Sequence, residues 1–171
     1  MRYNSSATHA LLVGVAVSVA TALAPAAGAS VGDGSINGTY LATSDGVWAK
    51  TDDQYRDAPT VTSVWTVSSS CPNKVDCTGQ VTSDQGWTLP LTKRNTFWVL
   101  VRDIPQWLPC PDGTFAHGTQ RIMFYPLDDS GNVNPDSSSF AGHDKIFGDG
   151  GNCGRNQSVV LDLPFTLVKQ S

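Results

Sequence analysis

The chain has 171 residues and a formal charge of −4, with 40% hydrophobic and only 15% charged residues. Every acidic residue is Asp, no Glu occurs, and Ala thins out after residue 30. Loss of strong helix formers in favour of Ser, Thr, Gly, Asn and Val argues against a helical protein. The absence of a basic stripe argues against nucleic-acid and anionic-lipid binding.

The N-terminus reads as a signal peptide. Met1 and Arg2 form a short positive region, residues 10–22 are small and apolar without charge, and Pro25 ends any helix. Ala27-Gly28-Ala29 supplies a small-x-small cleavage pattern, which predicts a cut after Ala29, with Ala26 as the alternative. The apolar core is shorter than the roughly 20 residues a membrane-spanning helix needs. No Cys lies near the cut, which argues against a lipoprotein. The division is thus a cleavable signal peptide, 1–29, and a single β domain, 30–171. Removing Arg2 leaves 10 basic against 15 acidic side chains.

From residue 36 the pattern is strand, turn, strand. Residues 36–43 form a first strand, and Asp45-Gly46 is a turn signal. Residues 47–50 extend that strand or begin a hairpin, and 51–59 read as a polar loop. Residues 60–69 alternate around Val61, Trp65 and Val67, which suits a half-buried strand. Residues 77–83 and 87–92 follow, joined by the turn Asp84-Gln85-Gly86. Residues 95–103 contain the run Phe97-Trp98-Val99-Leu100-Val101, expected to be buried on both faces. Pro105, Pro109 and Pro111 predict a rigid loop over 104–114. Strands at 120–127, 140–147 and 157–169 complete the chain, with Pro164 marking an edge position or a bulge. Eight sequential strands predict an all-β antiparallel meander. A closed, calycin-like barrel is the preferred architecture, and a two-sheet sandwich the alternative.

Cys71, Cys77, Cys110 and Cys153 make an even count in an exported chain, which reads as two disulfides. Three pairings are open. Spacing favours Cys71 with Cys77, around a short turn-rich segment, and Cys110 with Cys153, between two late loops. Zinc binding would need closely paired Cys and His, and after residue 30 only His117 and His143 remain.

No motif specifies a reaction. There is no Gly-x-Ser-x-Gly elbow, and the bridges would leave no free thiol. A hydrolase would have to rest on His143 with Asp144, or on His117. The oxygen-rich run from Asp128 fails the EF-hand pattern, with Val133 at its sixth position and Ser139 at its twelfth. Gly148 to Gly154 lacks the Lys and hydroxyl residue of a phosphate loop. No cofactor is implied. Trp98 and Arg102 share one face of their strand, and Arg121 and Tyr125 one face of the next. Pointing into a barrel, those faces would suit a small acidic or aromatic ligand.

The segments Cys77-Thr78-Gly79, Ser83-Asp84-Gln85-Gly86-Trp87, Cys110-Pro111-Asp112-Gly113 and Cys153-Gly154-Arg155-Asn156 carry a resemblance, together with Gly38-Thr39-Tyr40 and Leu163-Pro164-Phe165. As a set they resemble a family of small exported mycobacterial proteins of unknown function. The resemblance covers nearly all of the chain after residue 30. It implies export to the cell envelope or medium and two disulfides, and it supplies no catalytic residues. The expected role is a secreted, non-enzymatic ligand-binding or interaction domain. A structural or partner-binding module of the envelope is the alternative, and a secreted hydrolase the third.

Overall fold

The computed structural model describes residues 33–171. The segment read as a signal peptide, with its cleavage position, lies outside the described residues. Ten strands follow in chain order: β1 (Gly38–Ser44), β2 (Lys50–Thr51), β3 (Gln54–Tyr55), β4 (Val61–Ser70), β5 (Asp76–Ser83), β6 (Thr88–Arg94), β7 (Phe97–Pro109), β8 (Phe115–Pro126), β9 (Ser139–Gly148) and β10 (Val160–Lys169). One short 3-10 turn, Asn152–Gly154, interrupts the last connection.

Eight of these strands pair in the order β1-β4-β5-β6-β7-β8-β9-β10, and β10 pairs again with β1. The closing ladder runs from Tyr40 opposite Lys169 to Ser44 opposite Phe165. That pairing makes the sheet a closed antiparallel barrel and excludes the two-sheet sandwich. Closure also removes the free edges that an open sheet must protect.

Alternation sorts the side chains. Trp65 and Val67 of β4, Trp98 and Leu100 of β7, Ile122 and Phe124 of β8, and Phe165 and Leu167 of β10 are all buried inside. Phe124 meets Trp65 at 6.4 Å, Phe140 at 5.8 Å and Phe165 at 5.6 Å between ring centroids. These rings fill the barrel's waist. At one end Lys93 plugs the interior. Its ammonium donates to the carbonyls of Lys74 (3.0 Å) and Gly34 (3.4 Å) and sits over the Trp98 ring.

Four local expectations need correction. The run Phe97 to Val101 is not buried on both faces. Trp98 and Leu100 point inward, while Phe97 and Val101 stand exposed outside. A barrel strand has one inner and one outer face, so five consecutive apolar residues cannot all be interior. Residues 51–59 are not a plain loop, because β2 and β3 form a small hairpin that pairs with β10 at Leu161 and Asp162. Its turn residues Asp52 and Asp53 have φ of 50° and 63°, the left-handed pair a two-residue hairpin turn needs.

The prolines do not end β7 either. The strand resumes pairing with β8 at Leu108 opposite Ala116, after a register shift between Ile104 and Leu108 that absorbs Pro105. The irregular stretch lets the Trp107 ring lie across Gly118 and Gly148, which face each other on β8 and β9. A Cβ on Gly148 would come within 2.6 Å of that ring and one on Gly118 within 2.9 Å. Finally, β8 reaches back to Phe115, well before residue 120.

Pro164 lies where β10 passes from β1 to β2. Its carbonyl accepts the Asp45 N–H at 2.8 Å, so its missing N–H faces the gap between those two strands. No ladder bond to β9 is lost there, and the register across from His143 continues unbroken. The two disulfides join Cys71 to Cys77 and Cys110 to Cys153.

Candidate functional site

Lys93 caps the packed core at one end of the barrel, and the other end is hollow. There a cavity of about 420 Å³ opens among the inward side chains of β1, β4, β7, β8, β9 and β10. This volume falls within the ~300–1,000 Å³ range of small-molecule sites. Trp65 and Phe165, 5.4 Å apart, form its floor. Trp87 stands edge-on to Trp65 at 5.6 Å, and Trp107 forms another part of the wall. Ile122, Ile146 and Leu163 complete an apolar lining.

The mouth is bordered by the β1–β4 connection, which brings Ala58 and Pro59 to the rim. Gly46 holds this connection closed. Its N–H donates to Thr60 Oγ1 at 2.9 Å, and its carbonyl accepts the Ala58 N–H at 2.9 Å. A Cβ on Gly46 would fall 1.9 Å from the Ala58 carbonyl oxygen, so only glycine permits this approach. Trp48, on the same connection, is 61% exposed and packs edge-on to Tyr55.

Six polar side chains line the apolar cup: Ser44, Ser63, Gln85, Arg102, Gln120 and Asp144. Asp144 of β9 is 3% exposed. Its Oδ2 accepts the Ser44 hydroxyl at 2.7 Å, and both carboxylate oxygens accept the Gln120 amide at 2.9 Å. Arg102 lies 5.5 Å from the Trp87 ring centre and makes no hydrogen bond or ion pair among the described residues. The Trp87 indole N–H is buried and also lacks a partner. A second hollow, of about 400 Å³, lies at the Lys93 end among Lys74, Asn95 and Val133. Its Lys93 ammonium is already committed to two carbonyls.

Burial pushes the Asp144 carboxyl above the ordinary carboxylate range. Hydrogen bonds from Ser44 and Gln120 oppose the rise, Asp162 adds to it, and Arg102 opposes it. The folded protein therefore holds this proton to a higher pH than the unfolded chain does. Stability drawn from it is fully present below the unfolded value and is lost as pH rises through the raised folded value. Asp162 on the outer face runs the other way. Burial lifts it, but hydrogen bonds from Lys145 and His143 bring it below the usual range. Its contribution is present above the unfolded value and fades on acidification. Asp144→Asn keeps the shape and removes the charge, and the Ser44 and Gln120 groups can reorient to pair with an amide. Urea unfolding across a pH series is expected to show wild type gaining stability relative to this variant as pH falls. Parallel pH profiles would contradict the assignment.

Of the sequence-derived ligand residues, Arg102 faces the cavity and Trp98 is packed in the core below it, 1% exposed. Arg121 and Tyr125 do not face the interior. They belong to the outer face of β8, where Arg121 is exposed and Tyr125 packs edge-on against Phe97 at 5.4 Å. The inward residues of that strand are Gln120, Ile122 and Phe124. The His143–Asp144 pair is likewise split, since neighbours on a strand point to opposite faces. His143 lies outside, its Nδ1 2.8 Å from Asp162, while Asp144 lies inside. His117 stands at the surface with its Nδ1 3.2 Å from Asp149. Sequence reasoning missed Gln120, Asp144, Trp87 and Trp107 as cavity residues. Counting by twos back from the apolar Phe124 and Ile122 would have found Gln120.

The fold and the cavity define a closed, eight-stranded antiparallel barrel with a polar-dotted apolar cup at one end. Among solved structures, the monomer form of the M. tuberculosis PknI sensor domain is similar, with a TM-score of 0.56 and 15% identity over 80% of this chain and 88% of that one. At that identity the likeness concerns the fold. No protein-family model and no curated protein sequence matches the chain.

Proposed function

We propose that this chain is an exported, non-enzymatic domain whose end cavity binds a small molecule. The observation that carries the reading is the hollow of about 420 Å³ lined by three tryptophans and a guanidinium with no hydrogen-bond partner among the described residues. A barrel built only for stability would fill that space, because voids lose packing energy. Residues 1–29 as a signal peptide and the two disulfides support an oxidising, extracytoplasmic location. That the PknI neighbour is a sensor domain is compatible with ligand recognition by this type of barrel.

The test fills the cup. Ile146 lines the cavity and is nearly buried, so Ile146→Trp places an indole where a ligand would sit. Wild type is expected to bind the neutral aromatic amide naphthamide saturably by calorimetry, and the variant to lose that binding while remaining folded. Undiminished binding by the filled variant would place the ligand elsewhere.

A second reading has its own observation. Phe97, Val99, Val101, Met123 and Tyr125 gather on the outer face of β7 and β8, with Val99 opposite Met123. Such an outward apolar group suits a module that meets an envelope partner through its surface. Loss of envelope retention in Phe97→Ser/Val101→Ser, with naphthamide binding intact, would favour it.

A further inference from the structure

We infer that the cavity takes a planar, apolar anion, with the acid group on Arg102 and the ring system against the tryptophan walls. This deepens the ligand-binding reading above and rests on it.

The first observation is an imbalance of hydrogen-bonding groups. A guanidinium carries five N–H donors and no acceptor. Arg102 brings them to the inner face of β7, two positions beyond the buried Leu100, yet no described acceptor pairs with them. Arg102 is half-buried, and an incoming carboxylate can engage its fork through two parallel bonds.

The second observation concerns the internal counterion, Asp144, whose charge Arg102 feels without a direct ion pair. Asp144 lies in the same cavity, but its carboxylate is occupied by Ser44 and by Gln120, and no ion pair joins it to Arg102. The cup therefore has unmet demand for an acceptor, while its own acceptor is already served. An amine or a sugar hydroxyl would have to compete for Asp144 against two short hydrogen bonds.

The third observation excludes a cationic guest. Rings that line a pocket can hold a quaternary ammonium by their faces. Here the Trp87 ring is already capped by Arg102 at 5.5 Å, so a second cation would meet like charge. What remains open is flat apolar wall from Trp65 and Trp107, with Ile122, Ile146 and Leu163 between. A volume of about 420 Å³ is near the low end of small-molecule sites and suits a guest of one or two fused rings.

The experiment compares naphthoate with naphthamide, two probes of one shape that differ in charge, by calorimetry at neutral pH. In wild type, naphthoate is expected to bind about tenfold or more tightly than naphthamide, the scale of a charge-assisted hydrogen-bonded pair. Arg102→Gln should bring naphthoate down to the affinity of naphthamide for the same variant, so that the preference disappears. Arg102→Lys should fall between, since it keeps the charge but loses the fork. Equal affinity of the two probes for wild type would overturn the anion assignment and leave the cavity reading standing. Binding of neither probe would overturn both. If the Gln variant does not fold, the wild-type preference and the Lys variant still decide. A preference that survives unchanged in Arg102→Gln would also overturn the assignment.

Discussion

Replacing Trp65 with Ala is expected to remove about 3–5 kcal/mol of unfolding free energy, the range for deleting a fully buried large aromatic. Trp65 is 2% exposed and sits where the filled waist of the barrel meets its hollow end. Its ring touches Trp87, Phe124 and Phe165, so truncation strips contact from three neighbours at once. Its indole N–H donates to the Ser63 hydroxyl at 2.9 Å, a bond that also disappears. The new void would merge with the existing cavity, so collapse of the surroundings could recover little of the loss. Urea unfolding of the two proteins measures the difference. A loss below about 1 kcal/mol would mean that the ring is not part of a packed floor.

The second large effect concerns the long disulfide. Cys110 and Cys153 are 43 positions apart, and Cys71 and Cys77 only 6. In the loop-entropy account, closing those loops restricts the unfolded chain by about 4 and about 2 kcal/mol respectively. Cys110 lies just past the end of β7, and Cys153 lies in the connection from β9 to β10. The long bridge therefore ties together two distant stretches beside Trp107, while the short one closes only the turn before β5. The double variant Cys110→Ala/Cys153→Ala is expected to lose roughly twice as much stability as Cys71→Ala/Cys77→Ala by denaturant unfolding. Equal losses, or the reverse order, would show that local packing rather than chain restriction sets these contributions.

Much of the barrel was legible in the sequence because its connections are short and its strands alternate. The β4 run alternates around Val61, Trp65 and Val67, and the structure buries Trp65 and Val67 while leaving Val61 exposed near the mouth. The sites of failure have physical causes. On β8 both faces carry apolar residues, Ile122 and Phe124 inside against Met123 and Tyr125 outside. Period-two alternation then does not fix which face is the core, and a shift of one residue moves every side chain to the other side. That single ambiguity left the inward placement of Arg121 and Tyr125 open and hid Gln120.

Asp144 was hidden for a related reason. It follows His143, and an adjacent His and Asp suggest a shared site, although a strand separates neighbours to opposite faces. Trp107 was obscured by the surrounding prolines. Its inward position depends on a register shift and on two glycines facing each other across β8 and β9, which only the three-dimensional pairing brings together. Asp52-Asp53 did carry a hairpin signal, but a polar one within a polar stretch.

The most direct test of a ligand-binding cup is the indole N–H region of a nitrogen-15 spectrum during titration with naphthoate. The chain has five tryptophans, distributed as a built-in map. Trp65, Trp87 and Trp107 line the cavity, Trp98 is buried beneath it, and Trp48 is exposed on the connection beyond β1. Saturable shifts confined to the signals of Trp65, Trp87 and Trp107 are the expected result. Shifts at Trp48 or Trp98 with the cavity three unmoved would contradict the account.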